Sequence, residues 1–107
     1  MGLRVALVSD AGTPTISDPG FKFIKEAQEN GIAVEPLPGP NAAVTALSAS
    51  GFPAERFQFC GYLPKTDSER VEQLVQIKQS GLTTVLYESP NRALKTLSSI
   101  QEVFGDG

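Results

Sequence analysis

The 107-residue sequence contains no histidine and a single cysteine, Cys60. Without histidine, neither a histidine metal site nor a Ser/His/Asp triad can form within the chain. One thiol cannot close an internal disulfide, and its place among aromatic residues in an apolar segment predicts a core position. Acidic side chains number 12 and basic ones 9, a net charge of −3. With no Lys/Arg cluster, this excludes nucleic-acid binding through a broad basic surface of this segment.

Long apolar runs are also absent. Each run covers only a few residues, whereas a helix needs roughly 20 to cross a bilayer. The start Met1-Gly2-Leu3-Arg4 lacks the apolar region of a signal peptide. Hydrophobic residues at 40% and charged residues at 20% are ordinary values for a globular domain. We therefore expect a cytoplasmic protein with no membrane partner.

The pattern of apolar residues predicts four strands that alternate with four helices. The strands are expected at 3–8, 32–37, 57–63 and 82–87. The helices are expected to begin near Asp18, Ala42, Thr66 and Ser89, with Asp18 as a cap, and the last to bury Ala93, Leu94, Leu97 and Ile100. Such alternation is typical of an α/β fold with largely parallel pairing. Because so thin a sheet leaves edges open, we expect a fragment of a larger protein.

Two turns that follow strands are the best candidates for ligand binding, since ligands of open α/β sheets lie at the carboxyl ends of the strands. In 10–14, Gly12 allows close approach to the backbone and Thr13 offers a hydroxyl. The turn 38–41 supplies Gly39 and Asn41 in the same way. Spacing alone favours the simpler interpretation that these residues only make tight connections. No lysine follows the glycines, which argues against a phosphate loop of the Walker type.

Two carboxylates are candidates for chemistry. Asp10 ends a predicted strand, where a carboxylate can accept hydrogen bonds from ribose hydroxyls or a substrate amine. Glu88 follows another predicted strand and either lines a cleft or is solvated beside a helix capped by Ser89. Three basic residues are interpreted as solvated charges that could touch phosphate, namely Lys65, Arg70 and Arg92.

Five motifs in order along the chain carry a resemblance to one family. They are Val8-Ser9-Asp10-Ala11-Gly12-Thr13-Pro14, Ile16-Ser17-Asp18-Pro19-Gly20, Pro36-Leu37-Pro38-Gly39-Pro40, Leu47-Ser48-Ala49-Ser50-Gly51 and Tyr87-Glu88-Ser89-Pro90. The sequence resembles the ribosomal RNA small subunit methyltransferase I family, within the tetrapyrrole (corrin/porphyrin) methylase superfamily. The resemblance implies two α/β domains, S-adenosylmethionine bound between them, and a homodimer.

The resemblance also implies how this chain is divided and which residues act. Residues 1–52 would be the later half of the N-terminal domain and 53–107 the start of the C-terminal domain. The implied cofactor contacts are Asp10, Ala11, Gly12, Thr13, Ile16, Asn41, Ala42 and Tyr87, and the implied catalytic candidates are Asp10 and Glu88. No metal is implied. The chain departs from the family at Asn41, which replaces a small hydroxyl residue, and at Asn91, which replaces a histidine.

The implied activity is methylation of the 2′-hydroxyl of a cytidine in small-subunit ribosomal RNA. Two alternatives stay open. One keeps S-adenosylmethionine and changes the acceptor to a tetrapyrrole carbon. The other is a non-catalytic α/β module that pairs with another copy.

Overall fold

The computed structural model describes residues 2–106 and has an α/β fold. In chain order the elements are α1 Phe21–Glu29, α2 Ala42–Ser50, β1 Phe57–Tyr62, α3 Asp67–Ser80, β2 Thr83–Tyr87, a short 3₁₀ turn Pro90–Arg92 and α4 Ala93–Phe104. The chain divides into two compact units, with the boundary between Ala42 and Ala43. The predicted domain boundary near residue 52 falls ten residues later and stays a prediction.

The second unit is built on a parallel pair of strands. β1 pairs with β2, with Phe57 opposite Thr83 at one end and Tyr62 opposite Tyr87 at the other. The register shifts between Phe59 and Gly61, so the pairing is irregular at that point. Gly61 has a φ of 60°, a conformation that glycine adopts without the steric cost of a Cβ. The two strands confirm the predictions for 57–63 and 82–87.

The core of the second unit lies between the sheet and the two helices α3 and α4. Leu63, Leu74 and Ile77 form its centre, and Leu74 is only 1% exposed. Partly buried side chains of both strands and of α4 pack against this centre, namely Cys60, Leu86, Ile100 and Val103. Cys60 packs against the core as predicted but is only partly buried, and this burial raises the pKa of its thiol.

The first unit contains α1 and no strand within residues 2–42. The predicted strands at 3–8 and 32–37 are therefore wrong for this structure. Their apolar side chains are exposed, among them Leu3 at 91% and Leu37 at 79%. A strand satisfies its backbone N–H and C=O groups only through a neighbouring strand, and parallel strands also need cover on both faces. Neither is present here within the described part of the first unit.

α1 begins later than predicted, α3 begins where predicted, and neither has the predicted side-chain cap. α1 begins at Phe21 after Gly20, and Asp18 makes no capping hydrogen bond. Thr66 does occupy the position before α3, but its side chain forms no cap either. The predicted helix ends are confirmed at Asn30 and Gly51, which directly follow α1 and α2.

The face that α4 buries is the largest departure from the predicted pattern. The expected apolar face included Leu94 and Leu97, yet these side chains are 81% and 59% exposed. The residues that α4 buries most deeply are Thr96 and Ser99, each 6% exposed. Ile100 does pack against the core and Ala93 is half-buried, so the predicted face is confirmed in part. Apolar periodicity alone could not find Thr96 and Ser99, which are hydrogen-bonded to Glu88 and Arg70. Within residues 2–106, no helix is long and apolar enough to span a bilayer.

Candidate functional site

The two predicted ligand-binding turns lie together in the first unit. The Thr13 hydroxyl donates a hydrogen bond to the Pro40 carbonyl over 2.9 Å, across 27 residues of sequence. Gly12 has a φ of 91°, which disfavours any residue with a side chain. A Cβ at Gly12 would meet only the Pro40 oxygen, at 3.9 Å, so the space above this backbone is open. The two turns are thus joined, with the Pro40 carbonyl beside the open main chain of Gly12.

Unusual backbone conformations continue beyond the first turn. Thr15 and Ser17 have φ values of 73° and 49°, although neither is glycine. Such conformations cost about 1–3 kcal/mol each and cluster at ligand sites. The Ile16 amide between them donates to the Thr13 carbonyl over 3.4 Å, and its side chain is 43% exposed. The segment therefore holds Ile16 at the surface beside the Thr13 turn.

The remaining predicted residues of the first unit are accessible. Asp10, Ala11 and Ala42 are exposed, and Asn41 is half-buried. The Ser9 hydroxyl donates to the Ala11 carbonyl over 2.9 Å, which fixes the entry to the turn. Asp10 is thus presented to solvent on an ordered turn.

Tyr87 is the last residue of β2 and lies in an aromatic cluster of the second unit. Its ring meets Phe59 edge-on at 4.9 Å between centroids and Tyr62 at 5.9 Å. Edge-to-face contacts of this kind fix ring orientation as well as adding stability. Tyr87 is half-buried and Tyr62 is 54% exposed. The cluster therefore holds the end of β2 while leaving part of the aromatic surface open.

The Glu88 carboxylate contacts three residues, Thr96, Ser89 and Arg92, and is not a solvated surface charge. Its Oε2 accepts a hydrogen bond from the Thr96 hydroxyl over 2.6 Å, and its Oε1 accepts one from the Ser89 amide over 2.7 Å. Arg92 forms an ion pair with it at 3.2 Å. These contacts, the Thr96 hydrogen bond first, lower the pKa of Glu88. A carboxylate so held is a strong structural acceptor and a weak base.

Arg70 was expected to be solvated, and this prediction is wrong. Arg70 is 4% exposed and donates to the Ser99 hydroxyl over 2.9 Å and to the Lys65 carbonyl over 3.0 Å. A third donor group of the guanidinium binds the Asp67 carboxylate. Arginine is suited to such a position because its planar fork of donors can satisfy several acceptors at once. The sequence signal was Asp67 three residues before Arg70, a spacing that pairs side chains on a helix.

The structure thus places the predicted residues in two sets, each within its own unit. The turns 10–13 and 40–42 form the first set and Tyr87 with Glu88 the second. Sequence reasoning missed Thr96, Ser99 and the burial of Arg70. Residues 2–106 contain no group of three or more acidic, cysteine or histidine side chains placed to hold a metal ion.

Comparison with known proteins assigns the family. The family described as Tetrapyrrole (Corrin/Porphyrin) Methylases matches the chain over residues 1–107. The chain belongs to this family. The α/β architecture agrees with a tetrapyrrole methylase domain, and the family resemblance drawn from the five motifs is confirmed.

This tetrapyrrole methylase chain is similar to several curated bacterial proteins that share one name, Ribosomal RNA small subunit methyltransferase I. The protein of Vibrio cholerae is 47% identical over 104 residues, which are 97% of this chain and 36% of the relative. Those of Halalkalibacterium halodurans and Haemophilus influenzae are 50% and 49% identical over 105 residues, or 98% of this chain. They are covered over 36% and 37% of their own lengths, respectively. The chain therefore spans a little over a third of the curated relatives that it matches.

Proposed function

We propose that this chain is part of a methyltransferase that uses S-adenosylmethionine to methylate the 2′-hydroxyl of a cytidine in small-subunit ribosomal RNA. The observation that carries the proposal is the joined pair of turns, Thr13 to Pro40, in a chain of the tetrapyrrole methylase family. The choice of ribosomal RNA as acceptor is supported by relatives 47–50% identical that are named ribosomal RNA small subunit methyltransferase I.

The turns fit the cofactor chemically. The space beside the Gly12 main chain is open except for the Pro40 carbonyl. Polar groups of a ligand can therefore reach backbone donors and acceptors there. Ile16 and Ala42 add exposed apolar surface. We assign the cofactor contacts to Asp10, Ala11, Gly12, Thr13, Ile16, Asn41, Ala42 and Tyr87. When bound, S-adenosylmethionine supplies an activated methyl group on a sulfonium, so no covalent enzyme intermediate is needed.

The protein's own contribution is positioning and proton removal. A ribose hydroxyl is a weak acid, and its deprotonation calls for a base or a nearby cation. Asp10 is exposed on an ordered turn, and no donor within residues 2–106 occupies its carboxylate. Glu88 is the other candidate, but its hydrogen bonds and lowered pKa reduce its basicity. We therefore assign the base to Asp10 first and a positioning role beside the acceptor to Glu88.

Family membership also bears on the compartment, the oligomeric state and the methyl acceptor of the protein. We propose a cytoplasmic homodimer, as the family resemblance implies. Because this segment carries a net charge of −3, basic surface that holds RNA must come from parts of the protein outside it. Tetrapyrrole remains the competing acceptor, since the family's description names tetrapyrrole methylases. A third possibility, a non-catalytic module, would leave the two turns without a ligand.

The deciding experiment measures transfer of labelled methyl groups from S-adenosylmethionine by a protein that has the full length of its relatives. Small-subunit RNA and a tetrapyrrole are offered in parallel, and the RNA is digested to nucleosides. Label in 2′-O-methylcytidine is the expected result. Label in the tetrapyrrole alone would replace the acceptor, and label in neither, with no S-adenosylhomocysteine binding by calorimetry, would contradict the enzyme proposal.

The roles of the carboxylates can be separated with isosteric variants. Asp10→Asn should reduce methyl transfer by about 10²-fold or more at saturating S-adenosylmethionine, as expected for loss of a general base. Calorimetric titration with S-adenosylhomocysteine measures separately what the variant loses as a cofactor contact. Asp106→Asn, which also removes one exposed carboxylate, serves as the matched control and should leave transfer unchanged. Full activity in Asp10→Asn would move the base to another group.

A further inference from the structure

α4 buries two polar side chains that do not belong to the apolar core of the second unit. Thr96 and Ser99 lie one turn apart and are its two buried residues, while Leu94 and Leu97 point away from the core and are exposed. Burying a hydroxyl without a partner costs free energy, so both groups must gain from specific acceptors or donors. Each does: the partner of Thr96 lies in the loop after β2, and the partner of Ser99 is Arg70 on α3, which in turn binds the loop after β1.

The first partner is Glu88, in the loop that follows β2. The Thr96 hydroxyl donates to Oε2 of Glu88, while Oε1 accepts from the Ser89 amide. Arg92 closes the same loop by donating from Nε to the Ser89 hydroxyl over 3.3 Å. A single carboxylate therefore connects α4 to the backbone that directly follows Tyr87.

The second partner is Arg70, which holds the loop that follows β1. The Ser99 hydroxyl accepts from Nε of Arg70 and donates to the Lys95 carbonyl over 3.2 Å. Another nitrogen of the same guanidinium donates to the Lys65 carbonyl. α4 thus reaches the segment 63–66 through Arg70, at the carboxyl end of β1.

We propose that Thr96 and Ser99 are positioning residues that fix both loops at the carboxyl edge of the β1–β2 sheet before substrate binds. Parallel strands present their carboxyl ends at the same edge, which is where ligands of α/β sheets bind. Preformed loops bind a ligand without a further loss of conformational entropy. The assignment of that ligand as RNA or S-adenosylmethionine rests on the proposed function, whereas the fixing of the loops does not.

The fixing of the loops can be measured on the 107-residue chain without any ligand. Thr96→Val keeps the shape and removes the hydroxyl, and Ser99→Ala does the same at the second site. By NMR we expect hydrogen exchange of the Ser89 amide to rise about tenfold in Thr96→Val, and exchange of the Arg70 Nε–H to rise similarly in Ser99→Ala. Thr96→Ser should restore the slow rate.

Ser98→Ala provides the matched control, because Ser98 is exposed on the same helix. A variant that merely loosened the core would speed exchange in α3 and α4 together, whereas loss of positioning raises each loop signal selectively. Equal exchange in wild type and variants, or a uniform rise throughout the second unit, would overturn the proposal.

Methyl transfer by the protein at the length of its relatives then tests the purpose of the fixed loops. We expect Thr96→Val and Ser99→Ala to lower kcat/KM about tenfold, with recovery in Thr96→Ser. Looser loops with unchanged kcat/KM would overturn the positioning role and leave the proposed function standing. A wild-type protein that holds its loops but methylates no RNA would instead contradict the proposed function and the choice of ligand.

Discussion

At the scale of single residues, the structure separates two carboxylates that the sequence treats alike. Asp10 and Glu88 both follow predicted strands, and both were candidates for a base. Asp10 is exposed on its turn, whereas Glu88 accepts hydrogen bonds from Thr96 and the Ser89 amide. The sequence could not distinguish them because Thr96 lies eight residues beyond Glu88 and on a helix face expected to be apolar. The chemistry of a carboxylate is set by its donors, and donors distant in sequence leave no local pattern.

The hydrogen bond from Thr96 gives a prediction for the acid side of the stability curve. The pKa of Glu88 is lowered in the folded chain, so its stabilising effect is present above its unfolded pKa and is lost as pH falls through the folded one. Thr96→Val should raise this pKa towards the ordinary glutamate value, as followed by the ¹³C shift of the Glu88 carboxyl. The stability difference from wild type should be largest near neutrality. An unchanged Glu88 titration in Thr96→Val would contradict this account.

The Thr13 to Pro40 hydrogen bond gives a second prediction. Thr13→Val removes the hydroxyl that joins the two turns and keeps the side-chain shape. A neutral hydrogen bond contributes about 0.5–1.5 kcal/mol, so S-adenosylhomocysteine should bind roughly 2–12-fold more weakly. Calorimetric titration measures the change, with Thr45→Val as the control because Thr45 is exposed on α2. Equal affinities of wild type and Thr13→Val would show that the turns need no such link.

At the scale of elements, the helices and the second pair of strands were predictable, and the first pair was not. α2 and α3 carry sufficient local signals in the sequence. α2 is a run of mostly small residues that is followed by Gly51. α3 has apolar residues at helical spacing and is followed by Gly81. The segments 3–8 and 32–37 have strand composition, but a strand exists only with a partner. β1 and β2 pair in parallel because α3 connects the end of β1 to the start of β2 and so places the two strands side by side.

The contact between α3 and the sheet supplies a prediction about stability. Leu74 is 1% exposed and central in the core, so Leu74→Ala should lower the free energy of unfolding by about 2–5 kcal/mol. The neighbouring Val75 is 38% exposed, and Val75→Ala should cost less than about 1 kcal/mol. Urea titrations followed by circular dichroism at 222 nm compare the two variants. Equal losses for both would mean that α3 does not pack as described.

At the scale of the whole molecule, burial is unevenly distributed between the two units. All five buried apolar side chains within the described residues lie in the second unit, namely Ala43, Leu47, Leu63, Leu74 and Ile77. α1 buries none of its residues, and its Phe21 and Phe23 are 67% and 52% exposed. Apolar burial is the main favourable term in folding, so the two units cannot be equally stable. Sequence composition did not reveal this difference, because apolar residues are plentiful in both halves.

Hydrogen exchange should therefore divide the chain by unit. Amides of α1 are expected to exchange at least about 100-fold faster than those in the middle of α3, because opening α1 exposes little apolar surface. In the protein at the length of its relatives, α1 should become protected, since further chain can cover Phe21 and Phe23. NMR or mass spectrometry resolves the two helices in one experiment. Equal protection of α1 and α3 in the 107-residue chain would mean that the first unit is as stable as the second. The exposed Phe21 and Phe23 would then not weaken the neighbouring ligand turns.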